Sequence, residues 1–212
     1  MGVVADIGTR IELVPMDGHF EDISVALYRR ESGGAPVGLV HTYSHKPGVD
    51  ARVQYVAETM AILGGLDGVP DEAATLRFPC GTWHEAAVKR VFLEACKADP
   101  AQPVIPRPLD LHDRRSGQHI TLEKLGGGAY RVHAQHAEGE ESRARVVANG
   151  LAKLGRLAPD EDGVTVTFQC GTDHDALVGL LLVRAPNVRA VLREEEAAAL
   201  RGILAAPSAQ ER

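Results

Sequence analysis

Two nine-residue stretches carry the same reactive side chains in the same order: FPCGTWHEA over Phe78–Ala86 and FQCGTDHDA over Phe168–Ala176. Each sets a cysteine and a histidine four positions apart, Cys80 with His84 and Cys170 with His174. Upstream, VHTYSH (Val40–His45) and VHAQH (Val132–His136) add His41, His45, His133 and His136, so six of the nine histidines lie in these segments. Thiolate and imidazole suit a zinc-like transition metal. A cysteine just ahead of a helix is also a candidate nucleophile, because the positive helix end favours its thiolate and a nearby His can act as base. Gly81 and Gly171, with the Thr82 and Thr172 hydroxyls, offer a third option, an approach for an anionic ligand to backbone N–H groups. A fourth reading needs no ligand: Phe is core, Cys a small buried apolar residue, Gly a turn and Thr a helix cap. That reading explains His84 and His174 poorly, because a protonated His is disfavoured at a helix N-terminus.

The elements that position these residues are themselves repeated. VAETMAILGGL (Val56–Leu66) matches VANGLAKLGRL (Val147–Leu157), and Pro70-Asp71 answers Pro159-Asp160. Arg52 and Arg143 correspond near the starts of two helices, where they suit a surface role or an acidic ligand. The order of matches predicts an α+β, two-layer α/β sandwich built from two pseudo-symmetric β-β-α-β-α repeats plus a C-terminal helix. The first repeat, with an N-terminal strand, is expected over 1–98 and the second over 109–186, with a Pro-rich linker at 99–108 and the C-terminal helix and tail at 187–212, capped by Asn187. Within a repeat, Ile23–Arg30 and Pro36–Tyr43 read as a hairpin. Val49–Leu63 reads as an amphipathic helix closed by Gly64-Gly65. Ala74–Cys80 reads as a strand. Thr82 with Glu85, and Thr172 with Asp175, read as capping boxes opening the next helices, the second of which ends before Pro186.

A strand, helix and strand normally form a parallel crossover. That pairing would bring His45, Cys80 and His84 to one sheet edge, with His41 nearby, and likewise His136, Cys170 and His174, with His133 nearby.

Composition narrows the classes. The formal net charge is −6 and aromatics are 4%, with no basic run, which argues against nucleic acid. No stretch is long and apolar enough to span a membrane. Three cysteines and no secretory signal at the start suit the reducing cytoplasm. The resulting expectation is a small cytoplasmic protein that binds a metal or a small-molecule or anionic ligand, as a monomer or homo-oligomer. Its catalytic form would be a hydrolase whose metal activates water, with Asp71 or Glu85 in reach as a base. The alternative is a non-catalytic interaction or assembly module.

Overall fold

The computed structural model describes residues 11–13, 22–32, 35–113, 118–135 and 139–193. Alternation sets the faces of one hairpin, β7 (Gln118–Gly126) with β8 (Ala129–Gln135). Ile120, Leu122, Tyr130, Val132 and Ala134 are buried, while Glu123, Arg131 and His133 face out. This is the period of two expected of a strand with one face on a core. The matching hairpin is β2 (Ser24–Ser32) with β3 (Ala35–Tyr43).

Among the described residues the chain is a mixed α+β protein with two antiparallel five-stranded sheets, four helices within 50–184 and further helical residues at 188–193. The first sheet has the order β1-β2-β3-β5-β4, where β1 is Ile11–Leu13, β4 Asp67–Gly68 and β5 Thr75–Arg77. The second has the order β6-β7-β8-β10-β9, where β6 is Asp110–Asp113, β9 Ala158–Pro159 and β10 Thr165–Thr167. Helices α1 (Asp50–Gly64) and α2 (Glu85–Lys97) accompany the first sheet. Helices α3 (Glu140–Gly155) and α4 (Asp175–Arg184) accompany the second. Contacts of α1 with α4, and of α2 with α3 and α4, join the two halves. One apolar cluster runs through both, from Val40, Leu76 and Phe78 to Val132, Val166 and Phe168. Phe78 and Phe168 are fully buried, each stabilising the fold by about 1.5–3 kcal/mol relative to exposure.

Several expectations are corrected. The strand after α1 is not a parallel neighbour of β3. The chain first forms the short edge strand β4, turns, and returns as β5, which pairs antiparallel with both β3 and β4. Each half therefore holds short strands beyond β-β-α-β-α. Residue correspondence also shifts. Val40 faces Leu76 and Tyr130 faces Val166, so Val40 takes the place of Tyr130 rather than Val132. Gly68 and Pro159 hold matching pairing positions, so Pro70-Asp71 and Pro159-Asp160 do not.

Neither threonine caps a helix. α2 begins at Glu85 and α4 at Asp175, their N-cap residues are His84 and His174, and neither has a side-chain cap. Gly65 closes α1 in the left-handed region, as read from the sequence. α4 stops at Arg184, ahead of Pro186, and a 3-10 turn (Ala185–Asn187) leads into helical residues 188–193. Asn187 therefore ends that turn rather than capping a new helix, and the remainder of the expected C-terminal helix lies outside the described residues. Among the described residues, no helix is long and apolar enough to cross a membrane.

Candidate metal centre

A tight turn ends each short strand. The Gly81 N–H donates to the Phe78 carbonyl at 2.9 Å, and the Gly171 N–H to the Phe168 carbonyl at 3.0 Å. Gly81 and Gly171 take φ of 72° and 69°, which only glycine adopts without strain. The buried Phe anchors the turn from below, the Cys sits at its apex, and the His becomes the residue from which the helix starts. Each Cys–His pair thus closes locally, with Sγ of Cys80 3.3 Å from Nε2 of His84 and Sγ of Cys170 3.3 Å from Nε2 of His174.

The two pairs then meet across the halves. Nε2 of His84 lies 3.1 Å from Nε2 of His174, and the four donor atoms all fall within 4.8 Å of one another. A zinc ion with bonds of about 2.3 Å to sulfur and 2.0–2.1 Å to nitrogen would set tetrahedral edges of roughly 3.3 Å (N–N), 3.5 Å (N–S) and 3.8 Å (S–S). The donor set fits such an ion in type and in spacing. The imidazoles are held edge-on by the two anchoring rings, with centroid distances of 4.8 Å from Phe78 to His84 and 4.8 Å from Phe168 to His174.

Electrostatics favour the ligating forms of the histidines. Burial, and then the facing His174, push the His84 imidazole down to about 4, so it is neutral at pH 7. Burial also lowers His174, while Asp173 and Asp175 pull the other way. Burial, with the neighbouring Cys80, raises the Cys170 thiol. A bound dication reverses that last preference and holds the sulfur as thiolate.

The second pair has a polar support. The Tyr130 hydroxyl accepts from the His174 backbone N–H at 2.7 Å and donates to Asp175 Oδ1 at 2.7 Å. The Gly128 N–H donates to Asp173 Oδ1 at 2.8 Å, and Lys124 pairs with Asp173 and Asp175. The first pair has an aromatic support. Trp83 lies over Gly38, donates from Nε1 to the Tyr28 carbonyl at 3.2 Å, and carries the Arg29 guanidinium 4.7 Å from its ring centre.

The other candidates are elsewhere. His45 is exposed beyond the far end of β3, against Tyr43. β5 runs antiparallel, so Cys80 lies beside the start of β3, where Gly38 bonds to Gly81, and not beside its end. His136 lies outside the described residues. His41 bonds to Thr75, and His133 pairs with Glu123 on the outer sheet face. Arg52 donates to the Cys96 carbonyl and Arg143 to Gln118; neither reaches the centre. The Thr82 hydroxyl oxygen accepts from the Cys80 thiol at 3.8 Å, and the Thr172 carbonyl accepts from the Cys170 thiol at 3.8 Å. Asp71 lies on the exposed turn before β5.

Sequence reasoning assigned a three-ligand set to each half and left open whether the two halves share one site; the structure brings the two Cys–His pairs into one group. The signal was present: two Cys-x3-His pairs supply the four donors of one tetrahedron. Sequence reasoning missed Tyr130, which reads as an ordinary strand residue. The chain matches no family model, no curated protein and no solved structure.

Proposed function

We propose that this chain is a transition-metal-binding protein with one Cys2His2 centre shared between two halves that arose by internal duplication. The observation that carries it is the 3.1 Å approach of the two histidine Nε2 atoms, each with its own cysteine Sγ at 3.3 Å. Two imidazoles that close, with two thiols beside them, make a poor hydrogen-bonded cluster and a good set of metal ligands. The common strand order of the two sheets and the recurrence of Cys-x3-His support the duplication.

Four protein donors complete a tetrahedron, which is the pattern of a structural site, whereas a catalytic site keeps a position for water. The centre's role is therefore to tie the N-terminal ends of α2 and α4 together and so to fix one half against the other. This favours a non-hydrolytic metalloprotein, at home in a reducing compartment where its cysteines stay free. The turn-and-cap reading loses support because neither threonine caps a helix.

The test is metal analysis of untagged protein, followed by cobalt substitution. One zinc-like ion per chain, and cobalt spectra of a tetrahedral site with thiolate ligands, are expected. Protein that is metal-free in repeated preparations and takes up neither zinc nor cobalt would overturn the reading.

A further inference from the structure

Cys80 and Cys170 come from opposite halves, yet their sulfurs lie within 4.8 Å of each other. A disulfide needs about 2.05 Å between sulfurs, so the gap to close is under about 3 Å. Each cysteine is followed by a glycine in the left-handed region, and around Gly81 and Gly171 there is open space to 4 Å from a Cβ position. Each cysteine thus adjoins a residue of wide backbone freedom. Both cysteines are only half-buried. A cleft of about 280 Å³, lined by Trp83, Glu85, Arg156 and Gln169, reaches Cys170 and His84. Cys96 is the opposite case: it is buried in the core, and burial pushes its thiol up to about 12.

Resting on the metal-binding reading above, we propose that Cys80 and Cys170 form a redox pair, which a hydroperoxide oxidises to a disulfide with release of the metal. The Cys170 thiolate attacks the peroxide. An S–O bond forms, the O–O bond breaks, and the departing oxygen takes a proton to leave as an alcohol, or as water from hydrogen peroxide. The Cys80 thiolate then attacks the resulting sulfenic sulfur. The S–S bond forms, and the hydroxyl leaves as water with a second proton. Two electrons pass from the sulfur pair to the O–O bond. Two anionic ligands become one neutral disulfide, and two imidazoles alone hold a dication far less tightly.

The experiment adds hydrogen peroxide to the metal-loaded full chain. Metal release is followed with a chromogenic chelator, and thiols are titrated in denaturant. One metal released for every two thiols lost is expected, with the thiol count falling from three to one. Non-reducing peptide mapping should join Cys80 to Cys170, and a dithiol reductant should restore metal uptake. Cys96→Ser should release metal like the parent. Retention of three thiols and the metal under excess peroxide would overturn the proposal. So would oxidation to sulfinic acid without a cross-link, or a cross-link to Cys96. A chain that takes up no metal is recognised before peroxide is added and counts against the metal reading itself. A chain that holds metal but does not cross-link counts against the redox pair alone.

Discussion

Trp83 and Asp173 occupy the same place in the two ligand turns, between threonine and histidine, and they support the turn by different means. Trp83 lays an indole over Gly38, where a Cβ would come within 2.4 Å of the ring. Asp173 instead accepts a hydrogen bond from the Gly128 N–H and pairs with Lys124. Beneath them, Val40 gives the first half only apolar contact, whereas Tyr130, at the equivalent pairing position, reaches the His174 N–H and Asp175 with its hydroxyl. The parts that coincide are the anchoring Phe, the left-handed Gly, the Cys and the His. Those are the residues that fix where one Sγ and one Nε2 stand in each half, while the groups that support the turn differ between the halves.

The largest expected effect tests whether the coincidence is one site or two. Cys80→Ser and Cys170→Ser should each abolish tight metal binding in the whole chain, and to the same degree. With free metal a thousandfold above Kd, binding adds about 4 kcal/mol of stability. For a chain of this length that is a rise of roughly 10 °C in Tm, which calorimetry with and without chelator would show. If either variant keeps half the metal, the halves bind separately.

Next come the supports. Trp83→Ala opens space over Gly38 and should cost about 2–3 kcal/mol, short of the value for a fully buried ring. Tyr130→Phe leaves the His174 N–H and an Asp175 oxygen without their partner and should cost about 1–3 kcal/mol. Metal affinity should fall further with Tyr130→Phe relative to its stability cost, because that hydroxyl holds the ligand residue itself. Equal ratios of affinity loss to stability loss would show that the polar and aromatic supports are interchangeable.

Acid should act through the histidines. In the metal-free chain His84 sits near 4 when folded, against an ordinary value of 6.5. Between those values the unfolded chain takes up the proton first, so the folded state loses stability as pH falls from 6.5 to 4. His84→Gln should flatten urea stability over that window. An unchanged pH dependence would mean that His84 is not held neutral by burial.

How much of this was legible depends on whether the signal is local. Cys80–His84 and Cys170–His174 stand out because the recurring F-x-C-G-T-x-H phrase fixes both spacing and local geometry. Strand direction is not local: apolar periodicity is the same in parallel and antiparallel strands, and β4 and β9, at two residues each, have no period to read. That one reversal removed His45 from the site. The threonine caps misled because the chain stays non-helical through Thr82-Trp83 and Thr172-Asp173, and helix entry comes only at His84 and His174. The meeting of the two pairs depends on helix packing across the halves, which no window of sequence displays.

The smallest effect sharpens the comparison furthest from the ligands. α1 and α3 both end on a left-handed residue whose N–H closes on a carbonyl four residues back, Gly65 to Ala61 and Arg156 to Ala152. Glycine adopts that conformation at no steric cost; arginine, at φ 53°, does not. Arg156→Gly should therefore stabilise the chain by up to about 1 kcal/mol, less the entropy the unfolded chain gains. Gly65→Ala should cost about 1 kcal/mol, and the new Cβ would press on that of Ala176 at 3.3 Å. Urea midpoints with unchanged m values would register both, and metal content should stay the same in each. Because Arg156 also lines the cleft beside His84 and Cys170, the sign of its substitution is informative. A loss of stability or of metal on Arg156→Gly would mean that the strained arginine does more at the cleft than close a helix, and that the two helix ends are not equivalent after all.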